Sequence, residues 1–311
     1  MLGLGLIGGS IVRALRTQQA TAPAGDGQSI EIVAWSPSNR GPAAALAEGT
    51  VDAAPRPLAD AVLDADLIVL AAPPLDCIWL LSELTGPVRY AVRQGATLTD
   101  VASTKVAILD HANALTARFV GGHPMAGSET SGYGAGTDDL FHDRPWVIVP
   151  GQAAGSDDIA RVEWLARAVG ARPVHLGAAA HDRAVAGISH LPLVLAAALV
   201  EAVAGRPDAP ADGWPDARQL AASGWRDMTR LARGDVDMGS GIAVSNAAEL
   251  SARIRELRDV LDGWLADLDP AAGGPDARAL EARLTAAKAV LERAVSEAAP
   301  VTSPPRDPSS Q

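Results

Sequence analysis

Gly3-Leu4-Gly5-Leu6-Ile7-Gly8 decides the reading of this chain. In a GxGxxG turn the first glycine permits the tight bend and the second lets the backbone approach a pyrophosphate. The third lets the following helix pack close to its strand, with the helix N-terminus facing the phosphates. Leu6 and Ile7 open a helical run to about Arg16, so Gly3, Gly5, Leu6, Ile7 and Gly8 are the expected cofactor-binding residues. Outward from this turn, apolar runs at 30–35, 66–72, 96–99, 119–121 and 146–149 read as strands, with helical stretches at 75–92 and 104–117 between them. Continuous apolar strands separated by helices predict a parallel sheet covered on both faces. The fold class is therefore α/β, a Rossmann-type doubly wound sheet followed by an all-helical domain. The first strand is truncated, because only Met1 and Leu2 precede Gly3. An empty central slot would leave backbone groups unpaired at about 1–3 kcal/mol each. The expectation is thus a natural start upstream, with about five to eight further residues forming that strand.

The domains are expected at 1–150 (dinucleotide-binding), 151–297 (helical, substrate-binding and dimer-forming) and 298–311 (a disordered tail rich in Pro, Ser and Asp). Leu250, Ile254, Leu257, Leu261, Trp264 and Leu268 alternate four and three apart, and Leu280, Leu284, Ala287 and Leu291 resume the spacing after Gly273-Gly274-Pro275. This is a heptad seam, either a hairpin packed on its own domain or a dimer surface.

The second strand ends in Trp35-Ser36-Pro37-Ser38-Asn39-Arg40, with no acid between Val33 and Arg40. An NAD site ordinarily has Asp or Glu there for the ribose hydroxyls. Two hydroxyls and a guanidinium suit a 2′-phosphate better, so Ser36, Ser38 and Arg40 are expected to bind cofactor, NAD(P) with a lean to NADP.

The chain has 311 residues, 48% of them hydrophobic and 20% charged, with a net charge of −11. That is enough for a sizeable core, and without a basic block it argues against a nucleic-acid surface, although backbone N–H groups or one placed Arg can still bind an anion. Cys77 is the one cysteine, which excludes an intrachain disulfide framework and a multi-cysteine metal site; no metal is expected. Met1–Val12 lacks the leading charge of a signal peptide. Leu191–Val203 is too short to span a bilayer and reads as a buried core helix. No membrane partner is expected, and the localisation is cytoplasmic.

Four stretches carry chemistry: Thr99-Asp-Val-Ala-Ser103-Thr-Lys105, Gly121-Gly-His123-Pro-Met-Ala-Gly-Ser-Glu129, His181-Asp182 leading into Ile188-Ser189-His190-Leu-Pro192, and Gly224-Trp-Arg-Asp227-Met-Thr-Arg230. With the glycine start they make the chain resemble the prephenate/arogenate dehydrogenases of tyrosine biosynthesis, from residue 1 to about 265. The resemblance implies oxidative decarboxylation of a small-molecule cyclohexadiene substrate, prephenate or arogenate, in a homodimer joined through the helical domain. Such a reaction needs a hydrogen-bond acceptor at the C4 hydroxyl, which a neutral histidine supplies. His123, at a strand end, is the expected catalytic residue. Ser103 orients it, touches the nicotinamide or caps the helix beginning at Thr104. Lys105 is either a site residue or a first-turn surface residue. Arg230 matches the family's substrate-binding arginine, and arginine pairs bidentately with carboxylates. Asp227 holds Arg230, and Glu129, Ser189 and His190 are carried over as substrate-binding residues, His190 having a core histidine as its alternative. Two positions depart from the family: Leu193 stands where many members have His, and Gly239 where many have Trp. They leave prephenate against arogenate open. A non-catalytic nucleotide-binding protein is the remaining alternative; the β-hydroxyacid dehydrogenases and imine reductases, of similar shape, are not expected to carry GGHPMAGSE.

Overall fold

A computed structural model describes residues 1–21, 30–128 and 130–298. They fall into two units, Met1–Arg253 and Ile254–Gln311. In the first unit a sheet contains β1 (Leu67–Leu70), β2 (Thr97–Asp100), β3 (Phe119–Pro124), β4 (Pro145–Pro150) and β5 (Arg172–His175), in that spatial order. Beyond β1 the layer continues by single parallel bridges, Leu2 to Leu70 and to Trp35, then Val33 to Ala53. The order 53, 33–35, 2, β1, β2, β3 is that of a dinucleotide-binding sheet. The run at 30–35 is thus extended backbone with isolated bridges rather than a full strand. Leu2 fills the central slot over its own length: its N–H donates to Val69 at 2.8 Å, its carbonyl accepts from Ala71 at 2.6 Å, and Gly3 N–H donates to Trp35 at 2.7 Å.

Two expectations are corrected. The sheet is mixed: β4 runs antiparallel to β3, with Gly122 opposite Ile148, and β5 runs parallel to β4. It also passes the boundary expected at 150, since β5 returns to the sheet after a helix and the layer ends at His175.

Helices α1 (Leu6–Thr21), α2 (Arg40–Ala47), α3 (Leu58–Val62), α4 (Pro74–Thr85), α5 (Val106–Ala114) and α6 (Ser156–Ala168) accompany the sheet. Alternate strand residues feed two separate cores, as a period of two requires. Val69, Val120 and Ile148 join Ile11, Val12 and Leu165 on one face. Leu70, Leu98 and Phe119 join Leu81, Leu84 and Ile108 on the other.

After β5 come α7 (Ala178–Val185), a π-helical turn at Ala186–His190, α8 (Leu191–Ala204), a short two-stranded ribbon, α9 (Trp214–Leu220), α10 (Ser223–Thr229), a 3-10 turn at Arg230–Arg233, α11 (Val236–Ser245), α12 (Ala247–Leu268) and α13 (Ala277–Ala298). The helical run 178–204 is continuous, and by length and composition it is apolar enough to cross a membrane. α8 was expected to be a buried core helix, but Ala196 is its one fully buried residue. The reason is geometric: apolar residues lie on more than one face of this helix, and its leucines and valines are only half-covered. In the second unit, the hairpin of α12 and α13 is closed by Arg283 donating to Asp267 at 2.5 Å. Its seam residues Leu261 and Leu284 remain 53% and 61% exposed. The tail expected from 298 lies, past Ala298, outside the described residues, as does Glu129.

Candidate active site

The glycine turn divides its labour as the spacing predicts. Gly3 has φ +94°, and a Cβ there would sit 2.2 Å from the Ala71 carbonyl oxygen. A Cβ on Gly8 would lie 2.5 Å from the Gly3 oxygen, whereas one on Gly5 would meet nothing within 4 Å. The outer two glycines therefore serve packing, and the middle one faces open space. Leu6 and Ile7 form the first turn of α1, half-buried. A cavity of about 570 Å³ is lined by Gly5, Ser36, Ser38, Arg40, Glu48 and Tyr133. Its one acid, Glu48, is engaged by Arg13 at 3.0 Å and by the Tyr133 hydroxyl at 2.7 Å. The expected residues Ser36, Ser38 and Arg40 are thus brought together with Gly5, and the open backbone beside hydroxyls and a guanidinium fits a dinucleotide.

His123 stands at the carboxyl end of β3, where open α/β sheets place ligands. The glycines before it are a packing requirement: a Cβ on Gly122 would lie 2.6 Å from the Asp100 carbonyl oxygen and 2.9 Å from Trp146 Nε1. Beneath them Lys105 and Asp100 form a fully buried ion pair. Asp100 also accepts from the N–H groups of Gly122 at 3.0 Å and Ala102 at 3.1 Å. Burial raises the Asp100 carboxyl, against the pull of Lys105. Lys105 is thus no surface residue, and Asp100, which the motif reading passed over, is its partner. An Asp and a Lys five apart look like any solvated pair in sequence; only the sheet buries them.

Imidazole His123 donates or accepts through Nδ1 with His181 Nε2 at 2.7 Å, the rings meeting edge to face at 76°. His181 Nδ1 contacts Asp182 Oδ1 at 2.7 Å. Asp182 accepts in addition from the N–H groups of Lys105 at 2.8 Å and Val106 at 2.9 Å. It is Asp182 that closes the N-terminus of α5, the cap expected of Ser103. Burial lowers the His123 imidazole well below its ordinary value, and the neighbouring His181, Lys105 and His190 act in the same direction. For Asp182 burial acts upward, but the hydrogen bonds from His181, Val106 and Lys105 prevail and hold the carboxyl below the usual range.

Ser103 is half-buried in the turn between β2 and α5, its carbonyl on the His190 side. Its neighbour Thr104 bonds Ser245 of α11 at 2.8 Å. His190 is buried; Asn246 Nδ2 lies 3.2 Å from its Nδ1, and its Nε2 makes no hydrogen bond. Ser189 is exposed beside it on the π-helical turn. Arg230 and Asp227 are exposed, Arg230 on a turn packed against α8, the helix that begins one residue after His190. The two departures from the family pattern are neighbours: a Cβ added at Gly239 would lie 3.6 Å from Leu193 Cδ2.

An open sheet with a GxGxxG turn, and a half-buried imidazole at the carboxyl end of a strand, defines a dinucleotide-dependent dehydrogenase. The family described as prephenate dehydrogenase, nucleotide-binding domain, matches residues 24–175, and that described as prephenate dehydrogenase, dimerization domain, matches 177–270. A probable prephenate dehydrogenase of Streptomyces niveus is 32% identical over 297 residues, 90% of this chain and 73% of that protein. Prephenate dehydrogenase of Bacillus subtilis is 29% identical over 86% of this chain and 67% of its own length. The crystal structure of Synechocystis arogenate dehydrogenase superposes with a TM-score of 0.70 at 29% identity, covering 93% of this chain and 98% of that one. The chain belongs to the prephenate dehydrogenase family.

Proposed function

We propose that the chain oxidatively decarboxylates prephenate to 4-hydroxyphenylpyruvate. The observation that carries this is the half-buried His123, which its surroundings keep neutral, at the end of β3 in a chain of this family. A bound nicotinamide supplies the acceptor for the hydride that leaves C4. The chain's residues do the rest. Neutral His123 takes the hydrogen bond, and then the proton, of the C4 hydroxyl as that carbon becomes a ketone. Carbon dioxide departs from C1 as the ring becomes aromatic. Arg230 pairs with a substrate carboxylate, Asp227 steadies it, and Ser103, Ser189 and His190 line the approach. Gly5 lets the pyrophosphate approach the turn that Gly3 and Gly8 pack into place, with Leu6 and Ile7 carrying the turn into α1. Ser36, Ser38 and Arg40 in the absence of a nearby free acid favour NADP. The apolar surface of α8 and the exposed seam of the hairpin support a homodimer, and the single buried cysteine suits a reducing cytoplasm.

Arogenate is the second reading. Leu193, beside Gly239, puts an apolar side chain where many family members have an imidazole. The test mixes the protein with NAD or NADP and with either substrate, and follows absorbance near 340 nm. Turnover of prephenate, faster with NADP, is the expected result, and Arg40→Ala should narrow the cofactor preference. His123→Asn should lower kcat about 10²–10⁴-fold while substrate still binds. Normal turnover in that variant, or none of either substrate by the wild type, overturns the reading.

A further inference from the structure

We propose that His181 and Asp182 are positioning residues that hold His123 as its Nδ1–H tautomer, leaving the Nε2 lone pair as the hydrogen-bond acceptor of the site. This deepens the function proposed above and rests on it for the role of His123. The argument starts at Asp182. Its Oδ1 accepts from the N–H of Lys105 at 2.8 Å and its Oδ2 from that of Val106 at 2.9 Å. Both donors are fixed backbone groups that favour the charged carboxylate, and with the His181 bond they hold the carboxyl below the usual range, so it is ionised. The contact of 2.7 Å from His181 Nδ1 to Oδ1 must then be an N–H donating to a carboxylate.

A neutral imidazole carries one N–H. With the proton of His181 spent on Asp182, its Nε2 has only a lone pair to offer. That atom lies 2.7 Å from His123 Nδ1, so His123 donates. Its single proton is then on Nδ1, and its Nε2 has no choice but to accept. The order reverses only if His181 holds two protons. That would place an imidazolium, 1% exposed, against a second imidazole in a cluster that already buries the Lys105 ammonium. Burying a further cation there is unfavourable. The groups facing His123 are His181 and Asp182 from α7, Lys105 and Asp100 from the β2–α5 connection, and His190 from the π-helical turn. One further consequence follows from geometry: a ring bonded through Nδ1 cannot flip without losing that bond, so its orientation is fixed with its tautomer.

The test is a nitrogen NMR spectrum of the whole protein with ¹⁵N-labelled histidine, taken without substrate above the ordinary histidine value of about 6.5. The His123 signals are assigned by their loss in His123→Asn. The expected result is a protonated, pyrrole-like Nδ1 and a bare, pyridine-like Nε2 on His123. A proton on Nε2 overturns the proposal. In His181→Phe the Nδ1 partner is gone, and the His123 proton should redistribute between the two nitrogens. Turnover in that variant should fall about 10²-fold with KM within about twofold, the pattern of a lost orienting partner. A folded His181→Phe protein with unchanged kcat also overturns it. Should the variant not fold, the wild-type spectrum decides alone. Failure to oxidise either substrate overturns the assigned function, while the spectrum still reads the tautomer.

Discussion

His190 ends the π-helical turn with Asn246 against one ring nitrogen and nothing bonded to the other. Burial pushes its imidazole down to about 4, from an ordinary 6.5. The unfolded chain therefore takes up a proton near pH 6.5 that the folded one refuses until about pH 4. Stability is full above 6.5 and is lost as pH falls through that interval, by up to about 3 kcal/mol at about 1.4 kcal/mol per unit. Urea midpoints measured across the range should fall toward acid, and His190→Gln should flatten the slope; an equal slope in both proteins would show that this imidazole is not the group. His123 acts in the same direction, since burial lowers it too. Of these two histidines the sequence marked one clearly. His123 stands in a specific motif, whereas whether His190 is a core group or a ligand depends on which atoms surround it.

At the scale of elements, the two glycines of β3 are unequal. A Cβ at Gly122 would strike backbone and a tryptophan ring, which cannot move aside. At Gly121 its first neighbour is the Lys105 Cδ at 3.1 Å, part of a flexible chain. Gly122→Ala should therefore cost about 1–3 kcal/mol or more, and Gly121→Ala less; chemical denaturation of the two variants would show the order, and equal losses would contradict it. The glycine start, β1, β2 and the strand-end histidine were all legible because each leaves a local signature. The direction of β4 was not, because a buried strand is apolar whichever way it runs. Nor was the work of Asp100, Lys105, His181 and Asp182. His181-Asp182 stood in a recognised stretch, but its meaning lies in backbone N–H groups of a helix about 75 residues away in sequence. The cofactor turn was legible even with a central strand of one bridged residue, since glycine spacing needs no strand to be read.

For the whole molecule, the hairpin seam exposes apolar side chains, and the leucines and valines of α8 are only half-buried. A helix whose one charged residue is Glu201 reads as core in sequence, because the pattern does not say which molecule will bury it. Two chains of 31.8 kDa are expected to sediment together. Leu261→Asp with Leu284→Asp would place carboxylates on the seam and should shift the protein toward monomer at micromolar concentration; an unchanged sedimentation coefficient would remove the seam from the interface. Within the first unit one carboxylate joins two tasks, since Asp182 closes the first turn of α5 while it bonds His181. Assembly and proton placement thereby become a single trait. On the proposed mechanism, a chain in which α7 has not seated on α5 would have an unpolarised histidine and be chemically silent, so the fold would inspect itself before it reacts. Selection cannot loosen that joint for faster motion without also miswiring the base.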